Sequence, residues 1–430
     1  MYVWGYKRRI EYLHYSMNKL SNEHTLTHRA LNTMVIVAAL GYFVDIYDLI
    51  LFGVVRTPSL KTLGFTGADL MNNGIFIFNM QMYGMLIGGI IGGVLGDKKG
   101  RLSVLFATIL LYSIANIANA YVHNLTQYAV LRFIAGLGLA GELGVGITLV
   151  AEIMSKEKRT YGTMIVGGVG VLGAVVANIV AKTFDWQSAY LVGGVLGLLL
   201  LALRIFVSES GMFNKLKESA VKKGNFLKLF TSRKNFFKYL YCILLGLPVW
   251  FIIGILIFYS AEFAQSVFHI QGTIDPGTAI MYHYTGASIG SLIWSMLSQY
   301  LHSRKKALWF ALATLIVFTS CYFFAFGFTS IMFYLIIFFL GISQGYWTVF
   351  VTVASEQFGT NMRATVTTTV PNFVRGSVTL LTLWFKDMKS SSLGMWNAAL
   401  IIGVFCILLS LFSLYKLSET FGKSLDYVEE

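Results

Sequence analysis

The chain is short of charge, cysteine and proline: of 430 residues 12% are charged, 3 are Cys and 4 are Pro. Cys242, Cys321 and Cys406 all fall in apolar runs. Three isolated thiols offer neither a disulfide framework nor a metal-ligand spacing, and they read as small core residues. The seven histidines do not cluster and no H-E-x-x-H occurs, which excludes a metal hydrolase of that kind. No G-x-x-x-x-G-K-[ST] is present, so an ATP-driven pump is unsupported. "GLGLAG" at 136–141 matches G-x-G-x-x-G by letter. It lies inside an apolar run and follows no strand, so it reads as close helix packing through small residues and not as a dinucleotide site. No cofactor and no metal are expected, nor is an enzyme.

What fills the chain is apolar surface. Hydrophobic residues make up 56% and the mean hydropathy is +0.68, more than one soluble core can bury. A spanning helix needs about 20 mostly apolar residues. Twelve such runs recur, near 31–55, 73–95, 102–121, 125–150, 161–181, 187–207, 238–262, 277–300, 306–326, 329–352, 364–385 and 394–415. A membrane β-barrel would instead show short alternating segments of about ten residues. The expectation is therefore an all-α membrane protein of twelve transmembrane helices, with the lipid bilayer as its solvent.

Basic residues give the expected orientation, because Lys and Arg in short loops are retained in the cytoplasm. The odd-numbered loops carry only Arg56, Lys61, Lys182, Lys386 and Lys389. The even side holds Lys98, Lys99, Arg101, Lys156, Lys158, Arg159 and Arg304 to Lys306, with eight more between Lys215 and Lys238. Both termini are expected in the cytoplasm. The net charge of +13 is thus a topology signal, and no aromatic-basic module supports nucleic-acid binding. Residues 1–30 are polar and lack the apolar core of a signal peptide. Met17 is an alternative start.

An internal repeat divides the chain. Span 4 ends in "AEIMSKEKRTYG" and span 10 in "SEQFGTNMRATV", each with a Glu seven positions before an Arg. Glu152 and Glu356 are 204 residues apart, as are Arg159 and Arg363. Two parallel six-helix bundles follow, related by an axis along the membrane normal. The expected boundaries are an N-terminal segment 1–30, a first bundle 31–207, a cytoplasmic linker 208–237, a second bundle 238–415 and a tail 416–430.

Between spans 2 and 3 stands "GGVLGDKKGRL". It resembles the G-x-L-x-D-R-x-G-R-R signature of the major facilitator superfamily, with Gly93, Leu95, Asp97, Lys98, Gly100 and Arg101 at its positions and Lys98 in place of the usual Arg. The second-half copy, "SQYLHSRKK", is degenerate and has Gln299 where an Asp is common. "LRFIAGLGLAGE", the repeated Glu-to-Arg motif and "RIFVSES" extend the resemblance over nearly the whole chain. It implies the superfamily's two pseudo-symmetric bundles, with Gly93, Asp97, Lys98, Gly100, Arg101, Glu152, Arg159, Glu356 and Arg363 as gating residues at the cytoplasmic face. A purely topogenic basic turn is the simpler reading of the loop.

An ionisable group at the bilayer centre costs at least about 2.5–3.5 kcal/mol, which makes each one a functional candidate. In "GYFVDIYDLILF" Asp45 and Asp48 are three apart and share a helix face. Arg132 of span 4 lies at a similar depth. An acid of span 1 paired with this Arg resembles the proton-coupling arrangement of sugar-porter-like symporters, and Glu142 is a second candidate proton site. A static ion pair is the alternative. In "VPNFVRGSV" of span 11, Arg375 sits near mid-membrane with Asn372 on its face, and a fixed cation there suits a substrate carboxylate. Its alternative is pairing with a neighbouring acid. Gln81, Tyr83, Trp250, Tyr259, Gln344 and Trp347 are candidate cavity walls, whereas His283 reads as structural.

Span 5 lacks the Gly-Pro step typical of the superfamily's drug antiporters, which tilts the expectation to symport. The resemblance therefore implies a secondary transporter of the bacterial inner membrane, of the metabolite:proton symporter, sugar-porter-like branch by its "DIYD", "GE" and "SES" segments, working as a monomer on protons and a small carboxylate-bearing metabolite such as an amino or organic acid. An exporter of a siderophore or drug, a neutral-sugar symporter and a non-transporting sensor are the alternatives.

Overall fold

The computed structural model describes residues 35–99, 101–140, 159–209 and 228–423. They form helices joined by short turns. We number the spans α1 (Val35–Thr62), α2 (Ala68–Lys99), α3 (Arg101–Asn119), α4 (Leu125–Leu139), α5 (Arg159–Val171, then Gly173–Thr183) and α6 (Trp186–Glu209). The second set is α7 (Arg233–Phe251, continued by a wider π turn at Ile252–Ile257), α8 (Pro276–Tyr300), α9 (Arg304–Phe323), α10 (Ser330–Gln344, then Trp347–Glu356), α11 (Thr360–Ser390) and α12 (Gly394–Lys416). Eight of these are long and apolar enough to cross a membrane. Among the rest, α3 and α4 are apolar but shorter in their described parts. The remaining two, α8 and α11, are long but interrupted by polar side chains, and they carry His283 and Arg375.

Local chemistry sets the helix ends. Asn124, Asp275, Ser303 and Thr329 each accept a backbone N–H of the first turn of α4, α8, α9 and α10, satisfying donors that lipid cannot. In α7, Pro248 removes an intrahelical donor and the π turn follows directly, with all six of its residues buried.

Within each half the tightest contact is made backbone to backbone through glycine. Gly84 and Gly88 of α2 face the backbone of Phe133 and Leu137 in α4, and Gly136 of α4 faces the Gln81 carbonyl. The second half repeats this, with Gly286 and Gly290 of α8 against Phe338 and Ile342 of α10, and Gly341 against the His283 carbonyl. Any Cβ at these sites would enter a neighbouring backbone, so small residues are what let these helices meet. Between the halves, α1 meets α7 where Gly53 covers the Phe258 ring, α2 meets α11 at Gly89 and Asn372, and α5 meets α8 at Gly168 and Leu292.

At the start of α9 the missing loop acid is supplied from elsewhere. Glu419, just past α12, accepts the amides of Arg304 (3.0 Å) and Lys305 (3.1 Å) and the Ser303 hydroxyl. Burial by itself would raise its carboxyl, but the Ser303 hydroxyl and the amides of Phe421, Arg304 and Lys305 outweigh this and hold it below the ordinary carboxylate value. A depressed folded value means the contribution is complete above the ordinary range and is lost as pH falls through the folded value. Glu419→Gln is expected to lower stability at pH 7 by about 1 kcal/mol, a difference that shrinks as thermal unfolding in detergent is followed toward pH 3. A constant offset across that range would contradict the assignment.

Candidate functional site

The two halves enclose a cavity walled by α1, α5, α7, α8, α10 and α11. Its lining is Tyr42, Ile46, Val171, Val249, Trp250, Ile253, His283, Tyr284, Ala287, Ser291, Gln344, Gly345, Trp347 and Arg375, and the space between them is partly open to solvent. Arg375 is 2% exposed. Its Nη1 donates to Asn372 Oδ1 at 3.4 Å, its guanidinium carbon lies 5.9 Å from the Trp347 ring centroid, and Tyr42 faces it from α1. Nε has no hydrogen-bond partner, and no carboxylate lies within ion-pairing distance of Arg375 among the described residues. Aromatic rings and a cation with no ion-paired carboxylate among the described residues therefore share a single chamber.

Of the residues proposed from sequence for this chamber, Arg375, Trp250, Gln344 and Trp347 line it. Asn372 stands behind Arg375 and joins the halves, donating to the Ala140 carbonyl at 2.6 Å. Gln81 instead bridges α2 to the Leu49 carbonyl of α1 at 3.2 Å. Tyr83 is half-buried and outside the lining, and Tyr259 lies toward the odd-loop face. Sequence reasoning missed Tyr42 and Tyr284 and assigned His283 only to structure. The neighbouring Tyr42 and Asp45 of α1 differ in chemistry, and only the packing of α1 against Arg375 distinguishes the tyrosine's role.

Asp48 and Arg132 meet in a second polar nest, inside the first half. The expected carboxylate–guanidinium pair is replaced by a different contact: Arg132 Nη2 donates to the backbone carbonyl of Asp48 at 3.0 Å, and Nη1 to Asn116 Oδ1 at 3.0 Å. The Asp48 carboxyl is turned toward Gly193 of α6, and neither of its oxygens has a hydrogen-bond partner. Gly193 has no Cβ, and one there would run into Asp48 Oδ1, so the glycine leaves room for the carboxyl. Asp45 is also buried.

The odd-loop face is closed by contacts between the halves. Arg56 at the end of α1 pairs with Glu262 after α7 at 2.7 Å, donates to the Phe258 carbonyl at 3.2 Å and lies 4.7 Å over the Tyr259 ring. Lys182 of α5 reaches Asp275 at 3.3 Å and Thr278 at 2.6 Å on α8. Thr382 of α11 donates to Asn79 of α2 at 2.8 Å. On the opposite face Glu356 is buried, paired with Arg304 at 3.3 Å and accepting from Thr420 at 2.8 Å. Gly93 lies on α2. Glu142, Glu152 and Gly100 fall outside the described residues, as do the side chains of Asp97, Lys98, Arg101, Arg159 and Arg363.

The comparisons agree with this architecture. The family model described as Major Facilitator Superfamily matches residues 38–381, and the chain belongs to that superfamily. A solved structure of the proton:xylose symporter XylE superposes with a TM-score of 0.67 at 15% identity, covering 93% of this chain and 98% of that one, a likeness of fold. The niacin transporter NiaP of Acinetobacter baylyi is 33% identical over 184 residues, 41% of this chain and 40% of that protein. The benzoate transport protein of the same organism is 27% identical over 186 residues, 41% of this chain and 39% of that protein. The 4-hydroxybenzoate transporter PcaK of Pseudomonas putida is 29% identical over 186 residues, 42% of this chain and 40% of that protein. The chain thus matches well under half the length of these relatives.

Breaking one partner of a buried ion pair leaves the other charge uncompensated. Glu262→Gln is accordingly expected to open the odd-loop face. In a Cys321→Ser background, a cysteine introduced by Ser291→Cys should react several-fold faster with an impermeant thiol reagent applied from that face, a rate ratio worth about 1 kcal/mol. Unchanged labelling would remove the pair from the closure.

Proposed function

We propose that the protein is a secondary transporter that takes up a small ring-bearing carboxylate by alternating access, driven by protons. The observation that carries this reading is Arg375: a buried cation with no acidic partner among the described residues, in a chamber walled by Tyr42, Tyr284, Trp250 and Trp347. A guanidinium holds a carboxylate through two parallel hydrogen bonds, and aromatic walls offer a ring the edge and face contacts it favours. The substrates for which these relatives are named, niacin, benzoate and 4-hydroxybenzoate, share these two features, which supports carrying the class over.

Asp48 is the proposed proton site. An ionised carboxyl without a donor on either oxygen is costly in an apolar interior, and binding a proton removes that cost. In the state described, the odd-loop face is held shut by Arg56–Glu262 and Lys182–Asp275. Alternation exchanges these contacts for others at the opposite face, where the gating residues named from sequence are proposed to act. We place the odd loops outside a bacterial inner membrane on the distribution of basic residues, with residues 208–237 as the cytoplasmic linker and a monomer as the working unit.

Coupling is tested in proteoliposomes. Asp48→Asn is expected to abolish accumulation of labelled benzoate or nicotinate under an inward proton gradient, while exchange of label between two equal pools survives because it needs no net proton release. Full accumulation by the variant would exclude Asp48 as the coupling site.

The anchor is tested by analogue and by substitution. Benzamide and nicotinamide should fail to compete with the corresponding acids, and Arg375→Lys, which keeps the charge but loses the planar fork, should weaken acid binding about tenfold, or 1.4 kcal/mol. Equal saturable binding of an acid and its amide would refute the carboxylate anchor and move the reading to an uncharged substrate.

A further inference from the structure

The nest around Asp48 is separated from the substrate chamber but joined to the odd-loop face by a line of hydroxyl groups. We propose that Ser59, Tyr128 and Tyr190 form a proton relay between that face and the Asp48 carboxyl. The proposal rests on the coupling role given to Asp48 above.

Each member lies within about one turn of the same membrane face. Ser59 precedes the end of α1 at Thr62, Tyr128 is in the first turn of α4, and Tyr190 follows the start of α6 at Trp186. The Tyr128 and Tyr190 hydroxyl oxygens are 2.7 Å apart, and Tyr128 donates to Ser59 Oγ at 3.2 Å. All three residues are 0% exposed. Tyr190 and Gly193 are three apart on α6 and so share a face, and it is over Gly193 that Asp48 Oδ1 lies. Arg132 ties the two together, its guanidinium carbon 5.4 Å from the Tyr190 ring centroid and its Nη2 on the Asp48 carbonyl. Along α1, Ser59 and Asp48 are separated by about 16 Å at 1.5 Å per residue, too far for one transfer and spanned here by two phenols.

A hydroxyl both donates and accepts, and its proton rotates freely. Ser59 is buried in the closed state described; once the odd-loop face opens, a hydronium gives its proton to the Ser59 oxygen and leaves as water. Ser59 passes its own hydroxyl proton to Tyr128, Tyr128 passes one to Tyr190, and the last proton converts the Asp48 carboxylate to the neutral acid. Each hydroxyl ends with one proton, no electron is transferred, and rotation of the three groups resets the line. The step from Tyr190 to the carboxyl requires a bridging water. The charged groups bordering the path are Arg56 at its outer end, through the Ser59 hydroxyl on the Arg56 carbonyl, and Arg132 at its inner end. Glu262 neutralises Arg56, whereas Arg132 repels an excess proton, which favours transfer by exchange along hydroxyls over residence on any of them.

Tyr128 and Tyr190 also pack, edge-on to one another and against Trp186. Tyr128→Phe and Tyr190→Phe preserve the rings and remove only the relay groups. In proteoliposomes with full-length protein, each is expected to slow gradient-driven uptake of labelled benzoate or nicotinate, and the accompanying acidification of the lumen, by about tenfold, with equilibrium exchange of the same label near wild type. Ser59→Ala should act in the same direction and serves if either phenylalanine variant fails to fold. Gradient-driven uptake at the wild-type rate in the folded variants overturns the relay and leaves Asp48 coupling standing. A wild-type protein whose uptake ignores the proton gradient overturns both.

Discussion

Lipid offers no hydrogen bonds, and this constraint governs the rest of the molecule. Every backbone polar group within the bilayer has to be satisfied inside the protein, so the spans are helices, and α4, α8, α9 and α10 begin with side-chain caps. Association of those helices gains nothing from leaving lipid and depends on close packing. The glycine contacts of α2 with α4 and of α8 with α10 are that packing in two equivalent copies.

The same constraint makes each buried charge informative through its partner. Arg304 is neutralised by Glu356 and Arg56 by Glu262, one pair at each face. Among the described residues Arg132 has no ion-paired carboxylate and is held by a backbone carbonyl and an amide oxygen, an arrangement suited to fixing position. Arg375 has an amide oxygen and aromatic neighbours, and no carboxylate within ion-pairing distance among the described residues. A buried cation held in this way is the feature on which the substrate proposal depends.

The two polar centres stand in different halves. Asp48 and Arg132 belong to α1 and α4, while Arg375 and His283 belong to α11 and α8. Tyr42 bridges them from α1, two turns before Asp48 and facing Arg375, and Asn372 links Arg375's helix to the end of α4. Occupation of either centre therefore bears on the contact between halves, which is where an alternating transporter changes shape.

Hydropathy and the 204-residue repeat were enough to read the class of fold, because spanning helices are dictated by length and composition over long windows. The same holds for Arg375, since a charge in an apolar run is conspicuous whatever surrounds it. Which polar groups it meets was not legible: Tyr42 and Tyr284 look like any of 23 tyrosines, and Tyr259 and Gln81 looked equally suited to a cavity they do not line. Helical spacing brought Asp45 or Asp48 to the depth of Arg132 without choosing between them, and the turn of the Asp48 carboxyl toward Gly193 of α6 depends on a helix far along the chain. Sequence determines which surface prefers lipid, a local and additive property. Partner choice inside the bundle depends on rotation and contact among helices brought together from distant positions, and only the tertiary structure decides it.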